Sequence, residues 1–260
     1  MTLLTFIGTG GGRYATIFQP RGTGGLYLED GTRIHIDPGP GALVAMRRLE
    51  LDPSLTDAIV VTHGHPDHYG DAEVLIEAMT RGGKIRRGAL VGSGSVLRGG
   101  DGHWPVLTKY HSEMPEKVVC AIPGEHIDIR GVGLDAVGTR HTDPSSIGFR
   151  FSTREGVISY VGDSELDPDV VKGFSGCRLL IVSATRPLNA RIAGHLSTED
   201  VADFTAAVKP EMTVMTHFGM KVIEAGPETQ ARWVEERTGI PTLAARDGMR
   251  VQLGKGISSI

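Results

Sequence analysis

The most informative stretch of the sequence is Thr62-His63-Gly64-His65-Pro66-Asp67-His68, which directly follows the apolar segment Ala58–Val61. Imidazole together with carboxylate is the ligand set that zinc favours at catalytic sites. We expect a strand that breaks into a turn at the glycine and the proline of this stretch. Such a turn aims alternate side chains at one point. The first two histidines can then serve one metal, while the aspartate and the last histidine serve a neighbour.

Solvated histidines in a polar loop are the alternative interpretation of this stretch. A metal site, however, also needs ligands from distant parts of the chain, and three candidates are present. They are His141, Asp163 and His217, and each follows a predicted strand or extended segment. Alone, each would be an ordinary turn or strand-end residue, so their interpretation as ligands depends on the stretch at 63–68.

Many short segments rich in Val and Ile, bounded by Gly, Asp or Pro, predict β-strands. They are Leu3–Ile7, Gly25–Glu29, Arg33–Ile36, Ala58–Val61, Leu90–Gly92, Val118–Ile122, His126–Ile129, Gly148–Ser152, Val157–Val161, Leu179–Val182 and Thr213–Thr216. Asp30-Gly31 predicts a hairpin turn, and Asp247-Gly248 predicts another between Thr242–Ala245 and Arg250–Leu253.

Helices are predicted between these strands from apolar stripes and end signals. Asp71–Thr80 carries its apolar residues on one face, and Val201–Val208 lies behind a capping box from Ser197 to Asp200. Glu228–Arg237 has a proline before it and a glycine after it. Strands interleaved with helices favour two sheets sandwiched between helical layers.

Composition bounds the class of protein. The chain has 260 residues, of which 40% are apolar and 22% charged, ordinary for a globular protein. No repeat or linker is evident, so we expect a single domain over residues 1–260. A net charge of −4 does not favour a nucleic-acid-binding surface. The opening apolar run is too short for a signal-peptide core, so we expect a cytoplasmic protein with no membrane contact and with free thiols at Cys120 and Cys177.

The pattern HxHxDH after an apolar strand resembles the signature of the metallo-β-lactamase superfamily, which implies a four-layer αββα sandwich and two zinc ions, with Mn²⁺ or Fe²⁺ as alternatives. The resemblance implies that Asp37 supports the metal loop without binding metal. It assigns His63, His65, His141 and Asp163 to the first metal. It assigns Asp67, His68, Asp163 and His217 to the second.

Three features resemble the ribonuclease Z-like branch of that superfamily. They are the glycine-rich opening Phe6–Gly12, the strand after Asp163 that ends in Ala184-Thr185, and Gly194-His195-Leu196-Ser197-Thr198. In that branch the histidine of the last motif assists the leaving group or holds a phosphate oxygen. His195 also lies just before a predicted helix start, where free N–H groups favour anions. We therefore expect His195 to be catalytic.

The sequence also departs from that branch. Ser183 stands where the branch has a glutamate, which leaves His195 without its usual carboxylate partner. Gly219 and Lys221 replace the usual serine and arginine. Only 22 positions separate His141 from Asp163, too few for the arm with which the tRNA-processing enzymes grip their substrate. We therefore expect a nucleotide, a small diester or an RNA bound differently. The branch often forms dimers, so a homodimer is a further expectation.

Two zinc ions and the carboxylates of Asp67 and Asp163 would leave a net positive centre that generates hydroxide near neutral pH. Such a centre favours a transition state that gains negative charge, so in-line hydrolysis of a phosphodiester is the preferred reaction, with Asp67 orienting the hydroxide. A lactone or thioester hydrolase is the first alternative. A diiron redox protein is less favoured because such proteins commonly carry glutamate at the position of His65, and a non-catalytic nucleic-acid-binding relative would have lost ligands.

Two further hypotheses concern the surroundings of the motifs. The glycine-rich segment 99–111 contains aromatic residues and is either a lid over the site or a locally packed loop. Four cations flank the motifs and are candidates for binding phosphate, although we expect only one or two to do so. They are Arg140, Arg186, Arg191 and Lys221.

Overall fold

Short Val- and Ile-rich segments pair into two β-sheets in the computed structural model, which describes residues 1–100 and 102–260. The strands are β1 (Thr2–Phe6), β2 (Leu26–Glu29), β3 (Arg33–Ile36), β4 (Ala58–Val61), β5 (Ala89–Gly92), β6 (Lys117–Cys120), β7 (His126–Ile129), β8 (Val132–Gly138), β9 (Ile147–Thr153), β10 (Gly156–Tyr160), β11 (Leu179–Ser183), β12 (Met212–Thr216), β13 (Thr242–Ala244), β14 (Arg250–Leu253) and β15 (Ile257–Ser259).

The order of the strands brings parallel strands together at one side of each sheet. In the first sheet it is β15-β14-β1-β2-β3-β4-β5-β6, and β3 to β6 run parallel to one another. In the second it is β13-β12-β11-β10-β9-β8-β7, and β10 to β13 run parallel. The carboxyl ends of parallel strands meet at one edge, which is where α/β proteins bind ligands.

Helices cover the outer faces of both sheets. They are α1 (Gly12–Phe18), α2 (Ala42–Arg48), α3 (Pro66–Tyr69), α4 (Ala72–Thr80), α5 (Gly94–Leu97), α6 (Lys109–Ser112), α7 (Pro168–Gly173), α8 (Thr198–Val208), α9 (Met220–Ala225) and α10 (Pro227–Thr238), with a 3₁₀ turn at Pro53–Leu55. Throughout residues 1–100 and 102–260, no helix combines the length and apolar character that crossing a membrane requires.

The apolar side chains form three layers of core. Phe6 and Leu28 of the first sheet share one cluster with Phe149 and Phe151 of the second. Leu75 and its neighbours on α4 pack on the outer face of the first sheet, and α8 and α10 cover the second sheet in the same way. Burying one such side chain contributes about 1.5–3 kcal/mol. The predicted four-layer αββα sandwich is confirmed.

The predicted capping box is present at the start of α8. The Asp200 backbone N–H donates to the Ser197 hydroxyl, and the Asp200 carboxylate accepts from the Ser197 backbone N–H at 2.9 Å. A cap of this kind contributes about 1 kcal/mol. Because Ser197 begins α8, the segment that carries His195 is fixed immediately before the helix.

The predicted hairpin at Asp247-Gly248 is wrong. Its first strand, β13, pairs with β12 in the second sheet, whereas β14 pairs with β1 in the first. The Asp247 carboxylate accepts hydrogen bonds from the Thr9 N–H at 2.9 Å and the Gly22 N–H at 2.7 Å. These contacts hold the turn against the two segments on either side of α1, and the chain crosses from the second sheet to the first at this turn.

Two strands, β8 and β15, and seven short helices, α1–α3, α5–α7 and α9, were absent from the sequence prediction. The strand β8 carries two glycines and so lacks a continuous run of β-branched residues. The helix α1 was missed because the glycine-rich opening indicated a loop up to residue 12. Tyr14, Ile17 and Phe18 of α1 are exposed, so the helix shows no apolar stripe directed at the core. The two cysteines are free, as expected.

Candidate metal centre

The candidate ligands lie where strands end at one edge of the sandwich. The stretch 63–68 follows β4, Asp163 follows β10, and His217 follows β12, all at carboxyl ends of parallel strands. His141 follows β8, an antiparallel strand of the second sheet. Each sheet therefore contributes part of the site, and the convergence depends on how the two sheets pack.

The first cluster consists of His63, His65 and His141, whose ring nitrogens lie within 4.8 Å of one another. His63 Nε2 is 3.0 Å from His65 Nδ1, and His65 Nδ1 is 3.1 Å from His141 Nε2. The other nitrogen of His141 donates to the Gly194 carbonyl at 2.7 Å. That bond leaves the His141 Nε2 lone pair directed into the cluster.

The second cluster consists of Asp67, His68 and His217. His68 Nε2 is 3.0 Å from His217 Nε2, which lies 3.2 Å from Asp67 Oδ2. The short helix α3 begins at Pro66 and turns the Asp67 carboxylate and the His68 ring toward His217. The backbone N–H of Gly12 donates to Asp67 Oδ2 at 2.7 Å and fixes the carboxylate.

Asp163 lies between the two clusters. Its Oδ2 atom is 3.8 Å from His141 Nε2 and 3.8 Å from His68 Nε2, and its Oδ1 atom is 3.2 Å from His217 Nδ1. Burial alone would raise the pKa of this carboxyl, but the surrounding histidines, with His217 and His68 first, hold it well below its usual range. Asp163 is therefore a carboxylate that faces both clusters.

Asp37 supports the loop from behind. Its Oδ1 atom accepts from the Thr62 N–H at 2.7 Å, and its Oδ2 atom accepts from the Thr62 hydroxyl at 2.8 Å, the Tyr160 hydroxyl at 2.9 Å and His68 Nδ1 at 2.9 Å. Burial would lower the pKa of His68, but Asp37 and Asp67 outweigh it and raise the pKa to about 10.

These contacts also order the protons around the site. Because the Thr62 hydroxyl donates to Asp37, its lone pair accepts from His63 Nδ1 at 3.1 Å. His63 Nε2 is then left without a proton and faces the first cluster. His68 also donates from Nδ1 and directs Nε2 toward the second cluster; the raised pKa keeps a proton on Nε2, which a bound cation would replace. Burial lowers the pKa of His63 well below its usual value, which keeps that ring neutral.

Two backbone features bring the last ligand into place. His217 has a φ of 56°, in the left-handed region that few side-chain-bearing residues adopt, and Asp37 has a φ of 51°. Gly11 lies directly against the His217 ring, because a Cβ at Gly11 would be 2.2 Å from a ring carbon. Only glycine fits at that position.

His195 lies beside the first cluster. Its Nδ1 atom is 3.5 Å from Asp163 Oδ2, and its ring centroid is 4.9 Å from that of His141. Burial is the main reason that its pKa falls to about 4, although Asp163 opposes the change. Ser183 stands where the ribonuclease Z-like branch has a glutamate. Its hydroxyl is buried and has no hydrogen-bond partner among the described residues.

Sequence reasoning missed two supporting residues, Asp143 and Tyr160. The Asp143 carboxylate accepts from the Gly64 N–H at 3.0 Å, from the Ser145 N–H at 2.9 Å and from the Ser95 hydroxyl. It thereby holds the turn between His63 and His65. The run Asp143-Pro144-Ser145 is a turn signal that could have indicated this role. Nothing in the sequence points to Tyr160.

The donor set fits bound metal ions. Ligand nitrogens about 2.0–2.1 Å from a zinc ion lie about 2.9–3.4 Å from one another, and the facing ring nitrogens of both clusters match that spacing. Asp163 Oδ1 and His195 Nδ1 are buried without hydrogen-bond partners among residues 1–100 and 102–260. Unpartnered polar atoms in a cluster of histidines and carboxylates are those that a cation would satisfy.

The four flanking cations separate into two pairs. Arg140 Nε lies 3.2 Å from Asp167 Oδ2, and a terminal guanidinium nitrogen of Arg191 lies 2.8 Å from Asp200 Oδ1. Arg186 and Lys221 form no salt bridge with the described part of the chain, and both line one cavity. Within segment 99–111, Asp101 lies outside the described residues; the Trp104 side chain is 90% exposed, and the lid stays a hypothesis.

Residues 32–218 match the model of a family described as "Beta-lactamase superfamily domain". "Uncharacterized protein MJ1374" of Methanocaldococcus jannaschii is 40% identical over 256 residues, which cover 97% of this chain and 96% of that protein. "UPF0173 metal-dependent hydrolase MK1542" of Methanopyrus kandleri is 27% identical over 221 residues, 80% of this chain and 86% of that protein. A "Ribonuclease Z" of Pyrobaculum calidifontis is 37% identical over only 86 residues, 32% of this chain and 29% of that protein.

Solved structures share the fold at low identity. The metallo-beta-lactamase fold protein YhfI of Bacillus subtilis has a TM-score of 0.79 at 17% identity, covering 96% of this chain and 98% of its own. A diphosphatase of the PhnP family has a TM-score of 0.72 at 20% identity, covering 100% and 98%. The short form of human tRNase Z has a TM-score of 0.68 at 19% identity, covering 97% and 99%.

Proposed function

Because this chain belongs to the beta-lactamase superfamily, we propose that it is a metal-dependent hydrolase that uses two zinc ions to cleave phosphodiesters. The observation that carries the proposal is the position of Asp163, a buried carboxylate between two clusters of three ligands each. A carboxylate that faces both clusters is suited to bridge two cations. Neither cluster alone would support a binuclear site.

In this proposal the first metal is held by His63, His65 and His141 together with Asp163, the carboxylate that both metals share. The second is held by Asp67, His68 and His217, again with Asp163. Each ligand set combines imidazole with carboxylate, which suits zinc and accommodates Mn²⁺ or Fe²⁺. Asp37 binds neither metal and fixes the orientation of His68.

When bound, zinc lowers the pKa of a water to about 7 and so supplies a nucleophile near neutral pH. The residues of the chain position the reactants. The hydrogen bond from the Gly12 N–H to Asp67 Oδ2 fixes this carboxylate, which leaves Oδ1 to accept a hydrogen bond from the attacking water and orient it. Asp67 therefore acts both as ligand and as orienting group.

His195 is the proposed second catalytic residue. Its lowered pKa keeps the ring neutral at pH 7, and nearby cations would lower the pKa further. A neutral imidazole donates one hydrogen bond, so His195 is suited to hold a phosphate oxygen or to stabilise charge on the leaving oxygen. It is less suited to act as a strong acid.

Phosphodiesters are preferred over lactones and thioesters for two reasons. By their names, two of the solved neighbours are a diphosphatase and a tRNase, which are enzymes that cleave phosphorus–oxygen bonds. In addition, Arg186 and Lys221 form no salt bridge within the described part of the chain, and Arg186 lines a cavity that reaches Asp163. The partial match to a ribonuclease Z supports the ribonuclease Z-like branch, and we expect a nucleotide or another small diester rather than tRNA as substrate.

The test compares hydrolysis of bis-p-nitrophenyl phosphate with hydrolysis of a lactone and thioester panel after zinc or manganese is restored. We expect diester turnover and two zinc ions per chain. Turnover of His141→Ala should fall by about a thousandfold, whereas the exposed His126→Ala serves as a matched control with unchanged turnover. No diester turnover would contradict the proposal. Lactone cleavage would favour the alternative hydrolase, and bound iron with a visible absorption band would favour a redox protein.

We also propose that residues 1–260 fold as one domain, since both sheets contribute to one shared core. A single cooperative unfolding transition, coincident by circular dichroism and tryptophan fluorescence, is the expected result. Two separate transitions would contradict it. Formation of a homodimer stays a prediction, which sedimentation can test.

A further inference from the structure

A groove runs along one side of the metal centre. Its inner part is a cavity of about 580 Å³ that reaches Asp163 and His195. Its outer part is a cavity of about 560 Å³ that reaches Lys221. Both parts are lined by Arg13 and Arg186, so we call the whole the Arg186 groove.

Arg186 is the unusual residue of this groove. Its side chain is partly buried, and its Nε atom is inaccessible to water and has no hydrogen-bond partner among the described residues. Arg140 and Arg191, by contrast, are each neutralised by a carboxylate. The terminal guanidinium nitrogens of Arg186 also form no hydrogen bond with the described residues. Because the side chain is only partly buried, an anion in the groove can accept hydrogen bonds from these nitrogens.

The backbone fixes Arg186 beside the proposed catalytic histidine. The Arg186 N–H donates to the Leu196 carbonyl at 3.3 Å, and the Thr198 N–H donates to the Arg186 carbonyl at 3.0 Å. These bonds lie on either side of the start of α8 and connect Arg186 to the segment that carries His195. Arg186 and His195 line the same cavity, so both side chains border the inner part of the groove.

The two parts of the groove differ in charge. The inner part is lined by the carboxylates Asp67 and Asp163 of the candidate metal centre, whereas the outer part is lined by three cations, Arg13, Arg186 and Lys221, and by one carboxylate, Glu224. Tyr14 of α1 lines both parts and is 65% exposed, so its ring is available for stacking. The outer part of the groove thus combines excess positive charge with an exposed aromatic face, next to the candidate metal centre.

We infer that Arg186, assisted by Lys221, binds a second phosphate group of the substrate, while the scissile phosphodiester lies at the metal centre. The inference rests on the proposed function and narrows its substrate class to small diesters that carry another phosphate. That phosphate is either joined directly to the first, as in a diphosphate, or attached at another position of the same ribose. The aromatic face of Tyr14 makes a nucleoside the suitable carrier.

The experiment measures binding to the zinc-loaded protein by titration calorimetry. The ligands are adenosine 5′-monophosphate, adenosine 5′-diphosphate and adenosine 3′,5′-bisphosphate. We expect at least one of the last two to bind about tenfold or more tightly than the monophosphate, the size of one charge-assisted hydrogen bond. The ligand that shows the gain identifies how the two phosphates are spaced.

Variants assign the gain to Arg186. Arg186→Ala should abolish the tenfold gain and Arg186→Lys should retain part of it, because an ammonium keeps the charge but lacks the planar fork. Arg140→Ala, which removes an arginine that is already paired, should retain all of it. The inference is overturned if neither two-phosphate ligand binds more tightly than the monophosphate, or if the gain survives in Arg186→Ala.

Binding and turnover separate this inference from the proposed function. A protein that prefers two-phosphate ligands through Arg186 but hydrolyses no diester would retain the second-phosphate site and contradict the proposed reaction. A protein that hydrolyses bis-p-nitrophenyl phosphate but binds two-phosphate ligands no more tightly than the monophosphate would support the proposed reaction and contradict the second-phosphate site.

Discussion

The two clusters of the candidate metal centre are built differently. In the first, His65 is partly exposed although the His141 side chain is buried, and the main support of the turn is the half-buried carboxylate of Asp143. In the second, His68 and His217 are buried, and His68 is held by a carboxylate that accepts four hydrogen bonds. The second cluster also contains a carboxylate of its own.

This difference shows that similar ligand counts do not imply similar metal sites. Orienting hydrogen bonds and ligand charge both strengthen metal binding, and the second cluster has more of each. The partial exposure of His65 in the first cluster gives water and chelators access to its ion. We therefore expect a tightly held second metal and a more exchangeable first metal, a difference that the following changes should enlarge or remove.

Replacing the shared carboxylate should have the largest effect. Asp163→Asn keeps the shape but removes the negative charge that faces both clusters, so both metals should be lost and turnover of the diester should fall by about a thousandfold or more. Zinc content by mass spectrometry and kcat for bis-p-nitrophenyl phosphate measure this. Asp169→Asn, an exposed carboxylate on α7, is the control. Retention of two zinc ions by Asp163→Asn would contradict its bridging role.

Weakening the support of the second cluster should have the next largest effect. Three donors converge on Asp37 Oδ2. In Asp37→Asn that position holds either an amide N–H2, which cannot accept, or an uncharged carbonyl oxygen, which accepts more weakly. Affinity for the second zinc should therefore fall by about a hundredfold. Competition with a zinc indicator measures it. Tyr160→Phe, which removes one of the donors, should have a milder effect in the same direction. If Asp37→Asn lowered the affinity for the first zinc instead, the assignment of Asp37 as the support of the second cluster would be wrong.

Weakening the support of the first cluster should matter less. Asp143→Asn loosens the Gly64 turn, yet His63 keeps its own hydrogen bond to Thr62, so we expect about a tenfold loss of affinity for the first zinc. The same indicator competition applies. Ser95→Ala, which removes one donor to Asp143, should shift the affinity less. A loss as large as that of Asp37→Asn would show that the two clusters are equally dependent on support.

The smallest expected effect concerns the unaltered protein. Stepwise addition of a chelator such as dipicolinate should remove one zinc ion at a concentration several-fold lower than the other. In Asp143→Asn the gap between the steps should widen, and in Asp37→Asn it should close or invert. Release of both ions in one step by the unaltered protein would remove the proposed difference between the clusters.

Much of the fold was predictable because the buried strands are chemically distinctive. Segments such as β4 and β11 are nearly continuous runs of apolar residues, and their predicted bounds differ from the observed ones by at most a residue or so. Asp247-Gly248 led to a wrong hairpin prediction because the local turn signal does not show the three hydrogen bonds that the Asp247 carboxylate accepts from distant residues. Contacts of that kind cannot be read from neighbouring residues.

The candidate site was predictable in its residues but not in its support. The stretch 63–68 and the resemblance that it carries supplied the ligand candidates, and the structure brings all of them together. Asp143 acts from the loop between β8 and β9, where its turn signal does not reveal the contact with Gly64, and Tyr160 acts from the end of β10, where no local pattern marks it. The sequence could not distinguish Arg186 from Arg140 and Arg191, because the difference depends on which carboxylates lie close to each arginine in space.

The left-handed backbone at His217 has a consequence for how the protein tolerates change. For a residue with a side chain, that conformation costs about 1 kcal/mol relative to glycine. His217→Gly should thus relax the fold while eliminating a metal ligand. Selection for heat resistance in zinc-free medium would accordingly reward inactive variants at this position, so the thermal robustness and the activity of this protein have to be selected together.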